Sequence, residues 1–284
     1  MVREMKTTPP IDLDQAPWLA GVEPIEAIRG LQSSDPGSSK MGWPFLWPAN
    51  EPWPVCTHGP GVLASLKCDL PYLPVLQLRR DAFPDLPFPS DTDLFQLLWC
   101  PMLHFVGDDG FLLYWRRSRD VEISRSEPLP RTIHFSPIIS CVLDPEKIPD
   151  YPNHLELGYL PDTTDEDGDE LWGEEEWDAM NDLGPASGTK LFGFPRWEQH
   201  PDYPICPKCA KQMKLLLSIA SYEFCHHSQN SRWIPLEERE ALEGSSYEKF
   251  TEYCEPHGVM IGDGGDAHLF YCRCGEFTSR LQSS

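Results

Sequence analysis

A chain of 284 residues with 30 Pro and 20 Gly, about 18% of its positions, is interrupted too often for long helices, which excludes coiled coils and helical bundles. Its 23 Lys and Arg stand against 45 Asp and Glu, and a net charge of −22 repels phosphate backbones and anionic headgroups, so nucleic acid and membrane surfaces are poor partners. Hydrophobic residues at 40%, with ten Trp, are too abundant for a disordered chain.

The first predicted element is a short helix over 23–29, with acids near its start and Gly30 after it, inside an N-terminal extension of residues 1–39. The N-terminus has no apolar core of the kind a signal peptide carries. The run 94–105 is too short to span a bilayer and holds Cys100, Pro101 and His104. The expectation is therefore a soluble, cytoplasmic protein whose ten Cys are thiols or metal ligands. Residues 40–160 form a first half in which apolar runs bounded by Pro and Gly predict strands at 72–78, 94–99, 111–115 and 131–135. An acidic linker, 161–189, follows, with eleven acids and no Lys or Arg between Pro161 and Asp182. The second half, 190–284, has its clearest predicted strands at 215–219 and 267–272.

The two halves read as copies. Lys40-Met41-Gly42-Trp43-Pro44, with Trp47 beyond, parallels Lys190-Leu191-Phe192-Gly193-Phe194-Pro195, with Trp197 beyond. Trp53-Pro54-Val55-Cys56 matches Tyr203-Pro204-Ile205-Cys206, and Leu97-Leu98-Trp99-Cys100 matches Leu269-Phe270-Tyr271-Cys272. Cys68 and Cys209 each stand ten residues before the end of a matched strand, at Leu78 and Ile219. The fold expected is α+β, mainly β, an internal duplication packed into one compact unit.

These blocks, with the knuckle Cys206-Pro207-Lys208-Cys209 and the closing Gly262-Asp263-Gly264-Gly265-Asp266, resemble the bacterial YwqG-like family of uncharacterised proteins over about residues 40–277. The likeness implies a β-rich internal duplication and no particular reaction. A more distant resemblance links the glycine-proline-tryptophan block, the cysteine pair and the following strand to the eukaryotic programmed-cell-death-2-like proteins. That resemblance implies chaperoning of a basic ribosomal protein.

Cys206, Cys209, Cys272 and Cys274 offer four thiolates, two from a tight turn and two arriving from a distant strand, which is how structural Zn²⁺ is enclosed. A dithiol redox pair and unligated buried thiols are the alternatives, and the single residue between Cys272 and Cys274 is less typical of zinc ribbons. Cys56, Cys68, Cys100 and His104 form a possible second set with the knuckle opened by an insertion, and His58 can replace His104. Cys225, His227, Cys254 and His257 are ligand types at spacings that fit no usual finger, and ordinary loop histidines explain them better. Asp165 to Glu170 fails the EF-hand frame because its glycine is misplaced, and Gly262 to Asp266 reads as a tight turn.

No nucleophile elbow or metalloprotease helix motif occurs in the sequence. The function expected is a zinc-stabilised interaction module for a basic protein, such as a ribosomal protein or a toxin. Asp165, Glu166, Asp167, Asp169 and Glu170 would steer the encounter, and Trp43, Trp47, Trp53 and Trp197 would anchor it wherever they are exposed. An enzyme with a carboxylate or thiol site between the halves is the alternative.

Overall fold

Short apolar runs closed by Pro and Gly have too few residues to nucleate helices, and they bury their faces by pairing edge to edge instead. The computed structural model describes residues 25–29, 38–57, 70–100, 110–121, 138–143, 146–158, 184–223 and 254–282. Their strands in chain order are β1 (Ile25–Arg29), β2 (Lys40–Met41), β3 (Leu73–Arg79), β4 (Leu94–Trp99), β5 (Phe111–Arg116), β6 (Cys141–Val142) and β7 (Glu146–Asp150). After the acidic segment come β8 (Lys190–Phe192), β9 (Lys214–Ala220), β10 (Asp266–Tyr271) and β11 (Phe277–Gln282). One sheet runs β5-β4-β3-β2-β6 and the other β11-β10-β9-β8-β1-β7, with antiparallel pairing throughout.

The run β2 to β5 and the run β8 to β11 share their geometry. Strands β3 and β9 have seven residues each, and β4, β10, β5 and β11 have six. Lys40 faces Gln77 as Lys190 faces Ser218. Leu97 lies between Leu76 and Leu113 as Leu269 lies between Leu217 and Ser279. The ladder skips one residue at Val75 in β3 and one at Leu216 in β9. Gly42, just past β2, has φ +70, and a Cβ there would meet the Ser140 Cα at 2.9 Å, so only glycine lets the β6 segment pack this close.

Among the described residues, one apolar core holds the sheets together, with Met41, Val75, Leu76, Leu78, Phe95 and Leu97 from one and Leu191, Leu216, Leu217, Ile219, Ala267 and Leu269 from the other. Two satellite clusters flank it. Phe45, Trp47, Trp53, Tyr72 and Leu98 enclose Cys56 and Cys100. Trp197, Met213, Leu215 and Phe270 pack around Cys206.

The structure bears on four sequence expectations. Residues 25–29 are a strand, because pairing along all of β7 and part of β8 outweighs the helical pattern of seven residues. Helix among the described residues amounts to two 3-10 turns, Ser118–Asp120 and His154–Leu157, so the described architecture is mainly β and the helical part of the α+β expectation has no support in it. Trp47, Trp53 and Trp197 are 1%, 7% and 3% exposed and fill the satellite cores, with Trp43 half-buried against Trp53, so the exposure on which an anchoring role depends is missing for the first three. Strands β1 and β7, which precede the linker in sequence, join the sheet of the second half. The predicted strand at 131–135 and the acidic run 161–182 lie outside the described residues.

Candidate metal centre

Two turns carry the four cysteines to one tip of the six-stranded sheet. Before β9, an Ile205–Gln212 bridge opens a turn in which the Cys206 N–H donates to the Lys211 carbonyl at 2.8 Å and the Ala210 N–H to the Cys206 carbonyl at 2.9 Å. Ala210 closes it with φ 55. Between β10 and β11, the Cys272 N–H donates to the Glu276 carbonyl and the Gly275 N–H to the Cys272 carbonyl, both at 2.9 Å. Gly275 sits at φ +91 in open space, so backbone conformation and not crowding selects glycine there. Both turns are knuckles that expose sulfurs on one side, and the one-residue spacing of Cys272 and Cys274 works because β10 ends just before the first of them.

The sulfurs of Cys206, Cys209, Cys272 and Cys274 lie within 4.8 Å of one another. Cys206 and Cys274 are 3.3 Å apart, Cys209 and Cys272 3.4 Å, Cys272 and Cys274 3.2 Å, and Cys209 and Cys274 3.9 Å. A tetrahedron with bonds of about 2.3 Å has sulfur edges near ~3.8 Å, so the cage matches a four-sulfur metal site, whereas disulfides need about 2.05 Å. Cys206 is buried, Cys272 and Cys274 half-buried, and Cys209 exposed. The Cys272 thiol is drawn down to about 7 by the Cys274 backbone N–H and the thiols around it. Cys274 is pushed up to about 12 by the sulfurs of Cys272 and Cys206. Four sulfurs this close carry four negative charges only when a cation sits among them.

A hairpin with a similar bridge and hydrogen bond precedes β3. Val55 bridges Pro71, the Cys56 N–H donates to the Leu70 carbonyl and the Tyr72 N–H to the Pro54 carbonyl, as Met213 does to Pro204 in the second half. Cys56 and Cys100 are fully buried among aromatic rings, while Cys68, His58 and His104 lie outside the described residues. Cys225 and His227 also lie outside them. His257 lies in a turn but is buried there, and is not a surface histidine. Its Nδ1 accepts from the Val259 N–H at 3.0 Å and its Nε2 donates to Glu223 at 2.9 Å, which leaves no lone pair for a metal. Gly262 to Asp266 forms the expected tight turn, closed by the Gly265 N–H on the Ile261 carbonyl at 2.9 Å.

The sequence did not reveal the charged and polar groups buried near the sheets. Lys190 bonds Asp150 at 2.8 Å, and both oxygens of Glu223 accept from the Thr189 N–H at 3.0 Å. Asp266 is pushed up to about 7 by burial, with Arg196 opposing, and His268 is pushed down to about 3 by burial. Ser218 bonds the His268 Nδ1 at 2.9 Å, and Nε2 bonds the Arg196 carbonyl at 3.0 Å. These two groups set opposite pH slopes. Asp266, raised from 3.8, favours the native state fully below about pH 4, and that advantage is lost as pH rises to about 7. His268, lowered from 6.5, favours it above about 6.5, and the advantage is lost as pH falls toward 3. Asp266→Asn is therefore expected to raise stability by ~2 kcal/mol at pH 7.5 and by little at pH 4. Thermal unfolding at the two pH values reads this, and an equal gain at both would assign the effect to packing.

No protein-family model matches this chain, and no curated protein matches it. Among the described residues no helix is long and apolar enough to cross a membrane.

Proposed function

We propose that the protein is a cytoplasmic, zinc-stabilised interaction module made of two related halves, and that it binds a basic protein. The observation that carries the reading is the four-cysteine cage. With all four donors supplied by the chain, no coordination position is left for a substrate, and the metal's role is to pin the two turns together. Common strand lengths, registers and skipped residues support the duplication. The resemblance to the programmed-cell-death-2-like proteins and the charge of −22 support a cationic partner.

Among the described residues, one cavity lined by both sheets, with Lys190, Glu223 and Thr189 on its wall, is too small to support the enzyme alternative at that place. At about 30 Å³ it has room for a water. The nearby Cys141 thiol is pushed up to about 12 by burial, far from a reactive thiolate.

The partner test begins with affinity capture of the tagged protein from its own cells. Neutralising Asp165, Glu166, Asp167, Asp169 and Glu170 is expected to slow association with the captured protein roughly tenfold at low salt and to flatten its salt dependence. Unchanged kinetics, or a captured partner that is itself acidic, would remove the electrostatic reading.

A further inference from the structure

Among the four sulfurs, access is uneven. Cys209 is exposed at the apex of its turn, Cys206 is buried beneath it, and Cys272 and Cys274 are half-buried. Two of the short contacts run crosswise between the turns, from Cys206 to Cys274 at 3.3 Å and from Cys209 to Cys272 at 3.4 Å, while the contact inside one turn, Cys272 to Cys274 at 3.2 Å, has a single residue between its cysteines to close a ring. Each cross pair joins residues 68 or 63 positions apart, so a bond there ties together the same two turns that the metal ties. The ammonium of Lys208 lies beside the cage, on the Cys274 carbonyl at 3.2 Å.

We infer that this cage is a site of two-electron oxidation by hydrogen peroxide, in which Cys209 reacts first and the four sulfurs end as two crosswise disulfides that no longer hold the cation. The inference rests on the four-cysteine metal reading. The exposed Cys209 thiolate attacks the outer peroxide oxygen and the O–O bond breaks, giving a sulfenic acid and a hydroxide, which the Lys208 ammonium is placed to protonate. The Cys272 thiolate then attacks the Cys209 sulfur, forming the S–S bond and expelling the second hydroxide. A second peroxide joins Cys206 to Cys274 in the same way. In total four thiolates lose four electrons, two peroxides gain them, and four protons complete four waters. Charge on the sulfurs falls to zero, and with it their affinity for a divalent ion.

The test uses the full-length protein loaded with zinc and treated with hydrogen peroxide, with release followed by a chromogenic chelator and linkages by non-reducing peptide mapping. Expected are one metal ion released per two peroxides, Cys206–Cys274 and Cys209–Cys272 peptides, and return of metal binding after thiol reduction. Cys209→Ser is expected to map with a single cage disulfide, Cys206–Cys274. Metal retained under excess peroxide overturns the inference, as does a map with Cys206 joined to Cys209 or with Cys209 arrested as a sulfinic acid. If the purified protein instead takes up no zinc, the metal reading fails, and the crosswise peptides still decide the oxidation chemistry.

Discussion

Protein purified with reductant and without chelators is expected to carry close to one zinc per chain, and Cys209→Ser is expected to lose it. Cys209 is the ligand to replace because it is exposed, so the substitution removes a donor without burying a hydroxyl in an apolar cluster, which Cys206→Ser would do. Structural zinc contributes about 10–16 kcal/mol in small peptides that have no fold without it. Here the two sheets have their own apolar core, so the loss falls on the tip alone, and a drop on the order of 5 kcal/mol is expected. Elemental analysis and chemical unfolding read the two effects, and metal-free protein as stable as the loaded form would defeat the assignment. A second equivalent of zinc would report that Cys56, Cys68, Cys100 and His104 also form a site.

The cage was legible from sequence because its information is local. Cys206-Pro207-Lys208-Cys209 and Cys272-Arg273-Cys274 each fit one turn, and only their meeting needed the fold. Strands β3, β4, β5, β9 and β10 were legible for a similar reason, since apolar runs bounded by Pro and Gly admit few alternatives. Strand β1 was misread because the acids and spacing of 23–29 satisfy a helical pattern, and its partner β7 contains Pro149 and three charges that hide a strand. Asp150 and Asp266 could not be selected among 45 acids, because burial is a property of the whole assembly and carboxylates are seldom buried. One signal was present and unused. A lysine opens both matched blocks, and Lys40 and Lys190 are 0% and 2% exposed.

That second lysine supports the other large expected effect. Asp150 ends β7 and is 1% exposed. Its Oδ2 accepts from the Lys190 ammonium and from the Phe194 N–H, each at 2.8 Å, and its Oδ1 accepts from the Ala186 N–H at 2.5 Å. One carboxylate thus holds the approach to β8, β8 itself and the turn after it to a strand two places away in the sheet. Asp150→Ala leaves a buried ammonium and two backbone donors without this acceptor, an expected loss of about 3–5 kcal/mol. Such a loss is a large part of the 5–15 kcal/mol that keeps a typical domain folded. Lys190→Met keeps the stem and removes the charge, so it is expected to cost less, because the two N–H groups still solvate the carboxylate. Combining Lys190→Met with Asp150→Ala removes both charges and is expected to cost less than the sum of the two single losses, a non-additivity that urea unfolding of the three variants measures directly. If the losses simply add, the pair does not act as a unit, and the anchoring of β7 would rest on the Phe194 and Ala186 backbone bonds alone.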